Sequence, residues 1–254
     1  MTLGTVFIKF IRSRKLNGLS EKSISDYESF VGMFVRFIGF DVDLFSLIQD
    51  DLERYISYQL DRDITRNTLS TYIRHFKIFI RWICDNYNVP FTYKLIKVPK
   101  ASKKVVRVYS DLEIRQIFDC IHYPLEWIEF RNKAIISFML DSGIRQGEVC
   151  ALKALDVRCD INRMFVHGKG DKERVVPLGR FSVMFYNKYR SLCPYDSEMA
   201  FVTKFGEAIK PNTVKLMVSK LGKKLPFEIS SHKLRHNFVL ICIISMVILI
   251  YIVL

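Results

Sequence analysis

The chain has 254 residues, and half of them are apolar, so it can bury a substantial core and does not have a disordered composition. Lysine and arginine number 39 against 26 aspartates and glutamates. The resulting net charge of +13 favours a polyanionic partner, with nucleic acid first and an anionic membrane surface second. Ordinary solubilising charge is the alternative interpretation.

The N-terminus and the cysteines both argue for a cytoplasmic protein. In MTLGTVFIKFIRSRK the basic residues follow the apolar stretch, which is the wrong order for a secretory signal. The six cysteines contain no C-x-x-C pair, which argues against a zinc ribbon or a redox pair. We therefore expect reduced thiols and a cytoplasmic location.

Residues 1–90 carry the spacing of amphipathic helices. The stretch that starts at Ser20, a candidate N-cap, has these apolar residues on one face: Ile24, Tyr27, Val31, Phe34, Val35 and Ile38. After the short amphipathic DLERYISYQL, a longer helix is predicted from TRNTLSTYIRHFKIFIRWICDNY. One of its faces is apolar, and the other carries Arg66, Arg74, Lys77 and Arg81. The pattern predicts a small helical domain with one basic side.

Residues 91–109 have the composition of a basic linker. The stretch KLIKVPKASKKVVR holds six basic residues and no acid, and Pro90 and Pro99 bracket its start. If the partner is DNA, its lysines are candidates to contact phosphates: Lys97, Lys100, Lys103 and Lys104.

A second domain is predicted over residues 110–238. SDLE, from Ser110 to Glu113, is typical of a capping box that opens a helix, and NKAIISFMLDSG predicts a buried helix that ends at Gly143. Two β-branched runs around Gly-Lys-Gly-Asp predict a β-hairpin. Helical patterns resume at Phe181 and after Pro211. The expected class is mainly α with a small β-hairpin or sheet, an α+β fold.

Three polar pieces of this domain could do chemistry. Arg145 follows the glycine that ends a helix, Lys169 sits at the predicted hairpin tip, and HKLRH places His232 and Arg235 one helical turn apart. Each alone has an ordinary reading, since surface arginines and hairpin lysines are usually just solvated. A metal site at His232 and His236 is not expected, because a lysine replaces the zinc-protease glutamate and a third ligand is not evident.

In this order and spacing, SGIRQGEVCALKALDV, GKGDKERVVPLG and HKLRH together resemble the motifs of the tyrosine recombinase, or phage integrase, family. The helical N-terminal region is similar to that family's core-binding (SAM-like) domain. The resemblance extends from residue 1 to about residue 238. It implies a protein that binds double-stranded DNA, associates with itself on that DNA when intact, and needs no metal or other cofactor.

The resemblance also implies a mechanism, in which a tyrosine attacks a phosphodiester and a 5′-hydroxyl leaves. Arg145 and Arg235 would neutralise the non-bridging oxygens. Lys169 would protonate the leaving oxygen, and His232 would be a hydrogen-bonding or proton-transfer partner. The expected supporting residues are Glu148, Lys172 and His236.

The last residues depart from the family pattern. After Phe238 the sequence VLICIISMVILIYIVL lacks the glycine, histidine and charges that the family carries there. Its one tyrosine, Tyr251, lies only 16 residues after Arg235, too near to match the family's nucleophile. Residues 239–254 are therefore interpreted as an aberrant apolar tail on a truncated catalytic domain.

Three explanations of this tail stay open. The first is a disrupted reading frame that replaced the native end, the second is a tail that anchors the protein in a membrane, and the third is a variant active site that uses Tyr251. The 17 residues from Phe238 to Leu254 fall short of the roughly 20 that a bilayer core requires. The functional hypotheses are accordingly a DNA recombinase defective in cleavage, a binding-only occupant or inhibitor of a recombination site, and a membrane-tethered remnant.

Overall fold

The computed structural model describes residues 1–101, 108–168 and 173–239. The chain divides into two compact units, Met1–Lys104 and Val105–Leu254. Several predicted features lie outside the described residues: Lys103, Lys104, Lys169, Lys172 and the apolar tail from Leu240 onward. Within the described ranges, no helix combines the length and the apolar character needed to cross a membrane.

The described residues of the first unit, 1–101, form four α-helices. Their bounds are α1 Leu3–Leu16, α2 Glu21–Ile38, α3 Gln49–Leu60 and α4 Arg66–Asn86. Side-chain hydroxyls begin three of them, because Thr2, Ser20 and Thr65 each accept the backbone N–H of the residue three positions on. The N-cap predicted at Ser20 is therefore confirmed. Two short 3-10 turns, Leu44–Ser46 and Tyr93–Leu95, complete this unit.

The apolar residues that recur at helical spacing in the first unit form its hydrophobic core. On α4, the apolar face predicted from the spacing is buried, with Leu69, Ile73, Phe76, Ile80 and Ile83 among its side chains. They meet aromatic rings from other helices at the centre of the unit, among them Phe10, Phe34 and Tyr55. The opposite face of α4 carries the exposed Arg74 and Arg81. The apolar face holds the helix in the bundle, which leaves the arginines in solvent.

Residues at both ends of the predicted linker over 91–109 pack into a core. Phe91 and Ile96 are buried in the first unit, and Tyr109 is buried in the second. The backbone N–H of Tyr109 also donates to the Asn237 side-chain oxygen at 2.7 Å. The sequence analysis interpreted this stretch from its basic residues and did not predict that these apolar side chains fix its two ends to the cores.

The second unit is mainly helical around a small sheet. Its helices are α5 Asp111–Asp119, α6 Glu126–Ser142, α7 Gln146–Ala151, α8 Arg180–Leu192 and α9 Pro211–Gly222, and residues 231–239 are also helical. A 3-10 turn covers Ala154–Asp156. The capping box at Ser110 and Glu113 is confirmed, as is the end of α6 at a left-handed Gly143. The class predicted from the sequence, mainly α with a small sheet, is confirmed.

The sheet has three antiparallel strands in the order β1 (Val157–Arg158), β2 (Arg163–His167) and β3 (Glu173–Pro177). Strands β2 and β3 form the predicted hairpin, with Val166 opposite Arg174 and His167 opposite Glu173. Strand β1 escaped prediction, because two residues are too few to show an alternating pattern. The sheet buries alternate residues of β2, as a half-buried strand does.

Helix α6 is the centre of the second core. Most of its side chains are buried, and Phe138 contacts Tyr186 of α8 and Phe201, with ring centroids 5.5 and 5.4 Å apart. Because α6 is packed along its length, its C-terminal end is a rigid support for the residues that follow, which include Arg145.

Candidate active site

Gly143 links the end of α6 to the helix over residues 231–239. Its backbone has φ 60 and ψ 27, a left-handed conformation that glycine adopts without steric cost. Its carbonyl accepts a hydrogen bond from the guanidinium of Arg235, a residue 92 positions later in the chain. A Cβ at Gly143 would lie 2.6 Å from the ring of Phe238 on the same helix. Arg235 is thus held by backbone that leads directly to Arg145.

Arg145 is the N-cap residue of α7 and is tied to Glu148 in two ways. Its backbone N–H donates to Glu148 Oε2 at 2.8 Å, and its guanidinium donates to Glu148 Oε1, also at 2.8 Å. The Arg145 side chain is nevertheless 59 % exposed, while that of Glu148 is only 8 % exposed. The Glu148 carboxylate therefore binds the backbone N–H and one guanidinium nitrogen of Arg145, while the rest of the Arg145 side chain is exposed to solvent.

Arg174 of β3 is a member of this site that the sequence analysis missed. Its two terminal nitrogens donate to Glu148 Oε1 and Oε2 at 2.9 and 2.7 Å, a two-pronged pair. Burial alone would raise the pKa of Glu148, but the hydrogen bonds from Arg174 and Arg145 lower it to about 2. The only local hint was a charged residue inside the β-branched run ERVVP, which is weak, since strands often carry exposed arginines.

Arg235 shares the site with two other guanidinium groups and one carboxylate. Its pKa is lowered by its own burial, then by the positive charge of Arg145 and, more weakly, that of Arg174, while Glu148 opposes the shift. The three arginines carry three positive charges against the single negative charge of Glu148. The excess positive charge favours a bound anion, and planar guanidiniums suit phosphate oxygens.

His232 and His236 face each other one helical turn apart. Their Nε2 atoms are 2.7 Å apart, so one nitrogen carries a hydrogen and the other accepts it. Burial, then His236 and then Arg235, lowers the pKa of His232. The lowered pKa favours the neutral form of the His232 ring, which offers one hydrogen-bond donor and one acceptor near Arg235.

The predicted lysines of the hairpin tip, Lys169 and Lys172, lie outside the described residues. The strands that lead to the tip are described, and they pair up to His167 and Glu173. His167 Nδ1 lies 3.0 Å from a carboxylate oxygen of Glu173. This is the last described pair of the ladder before the tip, and Glu173 immediately precedes Arg174.

The predicted DNA-contacting residues of the first unit are not equivalent. Arg74, Arg81, Lys97 and Lys100 are exposed. Lys77 is half-buried, and its ammonium donates to the Ile96 carbonyl at 2.7 Å. The Lys77 ammonium is therefore hydrogen-bonded to the protein's own backbone and is less available to a phosphate. The assignment of Lys77 to a DNA-facing surface is therefore the weakest of this group.

A basic cleft of about 560 Å³ opens beside His232. Its lining includes Lys215, Lys223 and Lys233, together with Gln146 of α7. Lys233 is paired with Glu228 at 2.5 Å, so the other two lysines dominate the charge of the cleft. The described ranges hold no group of three or more histidine, cysteine or acidic side chains able to bind a metal.

Acid should destabilise the protein through Glu148. A carboxyl whose pKa falls from 4.5 to about 2 on folding contributes stability above pH 4.5, which is lost as the pH falls from 4.5 towards 2. The full contribution is on the order of 3 kcal/mol. Urea unfolding at pH about 5 and about 3 should show about half of this loss, and the difference between the two pH values should shrink in Glu148→Gln. Glu207→Gln, at an exposed position of the same unit, should lose as much unfolding free energy between the two pH values as the wild type does.

The second unit matches a known protein family, and most of the chain is similar to a tyrosine recombinase. The model of the phage integrase family matches residues 107–243. Tyrosine recombinase XerC of Pediococcus pentosaceus is 26% identical over 233 residues, which cover 86% of this chain and 77% of that protein. The family match over residues 107–243 includes the residues of this site: Arg145, Glu148, Arg174, His232, Arg235 and His236.

Solved structures share the fold. A lambda integrase dimer bound to a COC′ core site superposes with a TM-score of 0.75 at 16% identity, over 94% of this chain and 88% of that one. The Tn1549 transposon integrase in complex with transposon right end DNA gives a TM-score of 0.73 at 16% identity, over 94% and 85%. At such low identity the similarity concerns the fold alone.

Proposed function

Because this chain belongs to the phage integrase family, we propose that it binds duplex DNA and holds one backbone phosphate between Arg145 and Arg235. The family membership predicted from the three motifs is confirmed by the match over residues 107–243. The observation that carries the proposal is the approach of two guanidiniums from distant parts of the chain. Gly143, whose carbonyl binds Arg235, is separated from Arg145 by a single residue.

Each residue of the proposed site has a separate task at the phosphate. Arg145 and Arg235 neutralise the two non-bridging oxygens, and such preorganised donors stabilise charge that develops on them. Lys169 protonates the leaving 5′-oxygen, and His232, with His236 behind it, exchanges a proton at the phosphate. Glu148 orients Arg145, and Lys172 is a supporting residue. These roles are carried over from the family motifs onto the matching residues of this chain.

The proposed partner is double-stranded DNA, bound by both units. The exposed Arg74, Arg81, Lys97 and Lys100 would contact phosphates from the first unit, with Lys103 and Lys104 continuing that basic stretch. Lys215 and Lys223 of the basic cleft would contact phosphates next to the held one. Self-association on DNA is proposed by analogy with the lambda integrase, whose structure is that of a dimer on a core site.

A polypeptide of these 254 residues is proposed to bind DNA without cleaving it. Past Phe238 its one tyrosine is Tyr251, 16 residues after Arg235 and within an apolar run. For the Tyr251 hydroxyl to reach the phosphate, large apolar neighbours would have to face water or DNA, at roughly 1.5–3 kcal/mol each. Such a polypeptide would act as an occupant of its DNA site.

Covalent capture tests this proposal. A duplex nicked close to the target phosphate traps any phosphotyrosyl product, because the short leaving strand diffuses away. We expect a retarded band on a native gel and an absence of any covalent band after denaturing electrophoresis. The absence of the native band at low salt would refute DNA binding. A covalent band that Tyr251→Phe abolishes would instead show that the protein cleaves DNA with Tyr251.

A further inference from the structure

Glu148 is shared by two arginines that lie on different elements. Its Oε1 accepts from the guanidiniums of Arg145 and Arg174, and its Oε2 accepts from the Arg145 backbone N–H and from Arg174. An ionised carboxylate offers about four acceptor positions, so these four hydrogen bonds saturate it. With its side chain only 8 % exposed, Glu148 has little access to water in their place.

This sharing limits how far Glu148 can draw Arg145 inward. A guanidinium next to a free carboxylate prefers the two-pronged arrangement, in which two of its N–H groups are committed to the same acid. Arg174 already occupies that arrangement on Glu148, with nitrogen–oxygen distances of 2.9 and 2.7 Å. Arg145 is left with a single guanidinium contact, and its outer donors remain directed away from the acid.

The same two hydrogen bonds join the hairpin to helix α7. Arg174 is the second residue of β3, where it pairs with Val166, and Glu148 belongs to the first turn of α7. A lysine in place of Arg174 could keep the charge but not the fork, since an ammonium cannot bind both oxygens with fixed planar geometry. The arrangement therefore depends on the shape of the guanidinium as well as on its charge.

We propose that Arg174 is a positioning residue, which keeps Glu148 from pairing fully with Arg145 and so keeps Arg145 directed at the bound phosphate. This inference rests on the proposed function in one respect, namely that Arg145 binds a phosphate. Loss of Arg174 frees two acceptor positions on Glu148. Arg145 then turns towards them, and its grip on an anion weakens.

The position of Arg145 can be measured without any DNA. Side-chain ¹⁵N NMR of arginine-labelled protein reports the environment and rotation of each guanidinium, and an Arg145→Lys sample identifies the Arg145 signals. We expect the Arg145 signals to shift and their rotation to slow in Arg174→Gln and Arg174→Lys. Arg163→Gln removes an exposed arginine from strand β2 of the same sheet and should leave the signals unchanged. Unchanged Arg145 signals in both Arg174 variants, each shown to be folded, would overturn the inference.

Titration with inorganic phosphate then tests the consequence for binding. In the wild-type protein, phosphate should move the Arg145 and Arg235 signals together. Both Arg174 variants should bind phosphate about tenfold more weakly, a change equivalent to one modest polar interaction, while Arg163→Gln should match the wild type. Equal phosphate affinity in the wild type and both variants would also count against the inference. If phosphate moves neither arginine in the wild type, the proposed phosphate site fails, and the phosphate-free spectra still decide the role of Arg174.

Discussion

Raising the salt concentration from about 50 to about 200 mM is expected to weaken binding to duplex DNA by about 10³–10⁵-fold. The net charge of +13 and the exposed arginines and lysines of both units imply many phosphate contacts, on the order of 6–10. Each contact releases condensed counterions, and added salt opposes that release. Gel-shift or anisotropy titrations on a random duplex over a series of salt concentrations measure the slope directly.

Two substitutions on α4 refine this test. Arg74 is exposed, so Arg74→Gln should reduce the slope of log affinity against log salt by about one. Lys77 is bound to the Ile96 carbonyl, so Lys77→Gln should change the slope less. Binding that is indifferent to salt would mean that the basic residues do not face DNA. Equal slope changes at both positions would mean that Lys77 leaves its carbonyl when DNA binds.

Gly143→Ala is expected to destabilise the protein by on the order of 2–4 kcal/mol. One part of the cost comes from the left-handed backbone at φ 60, which disfavours any side chain with a Cβ. The other part comes from the Phe238 ring, only 2.6 Å from the new methyl group. Because Phe238 shares its helix with Arg235, a shift of that helix that relieves the clash also displaces the proposed phosphate site.

Urea unfolding provides the measurement, and Gly147→Ala is the matched control. Gly147 lies in α7, and a Cβ there would meet nothing within 4 Å, so alanine should be neutral or slightly stabilising. Combining Gly143→Ala with Phe238→Ala should cost less than the sum of the two single changes, because the clash disappears while the backbone strain remains. Additive costs would show that the ring yields freely and that strain alone accounts for the loss.

Local features of the fold could be predicted because the residues that produce them are close in sequence. Ser20 and Ser110 cap their helices through contacts three residues away, and Gly143 ends α6 through its own backbone preference. The hairpin follows from two β-branched runs around a short glycine-containing turn. The same locality made the three motifs readable, and with them the family.

Contacts within the site could not be predicted in this way, because they join residues that are far apart in the chain. Arg174 reaches Glu148 across 26 residues, and Arg235 reaches Gly143 across 92. By helical spacing, Lys77 and Arg74 lie on the same face of α4, but the Lys77 ammonium is hydrogen-bonded to the Ile96 carbonyl in the segment that follows the helix. Helix periodicity determines which face a residue lies on. Only tertiary packing decides whether the charge on that face meets solvent, backbone or a buried carboxylate, because desolvation and hydrogen bonding depend on what the fold brings alongside.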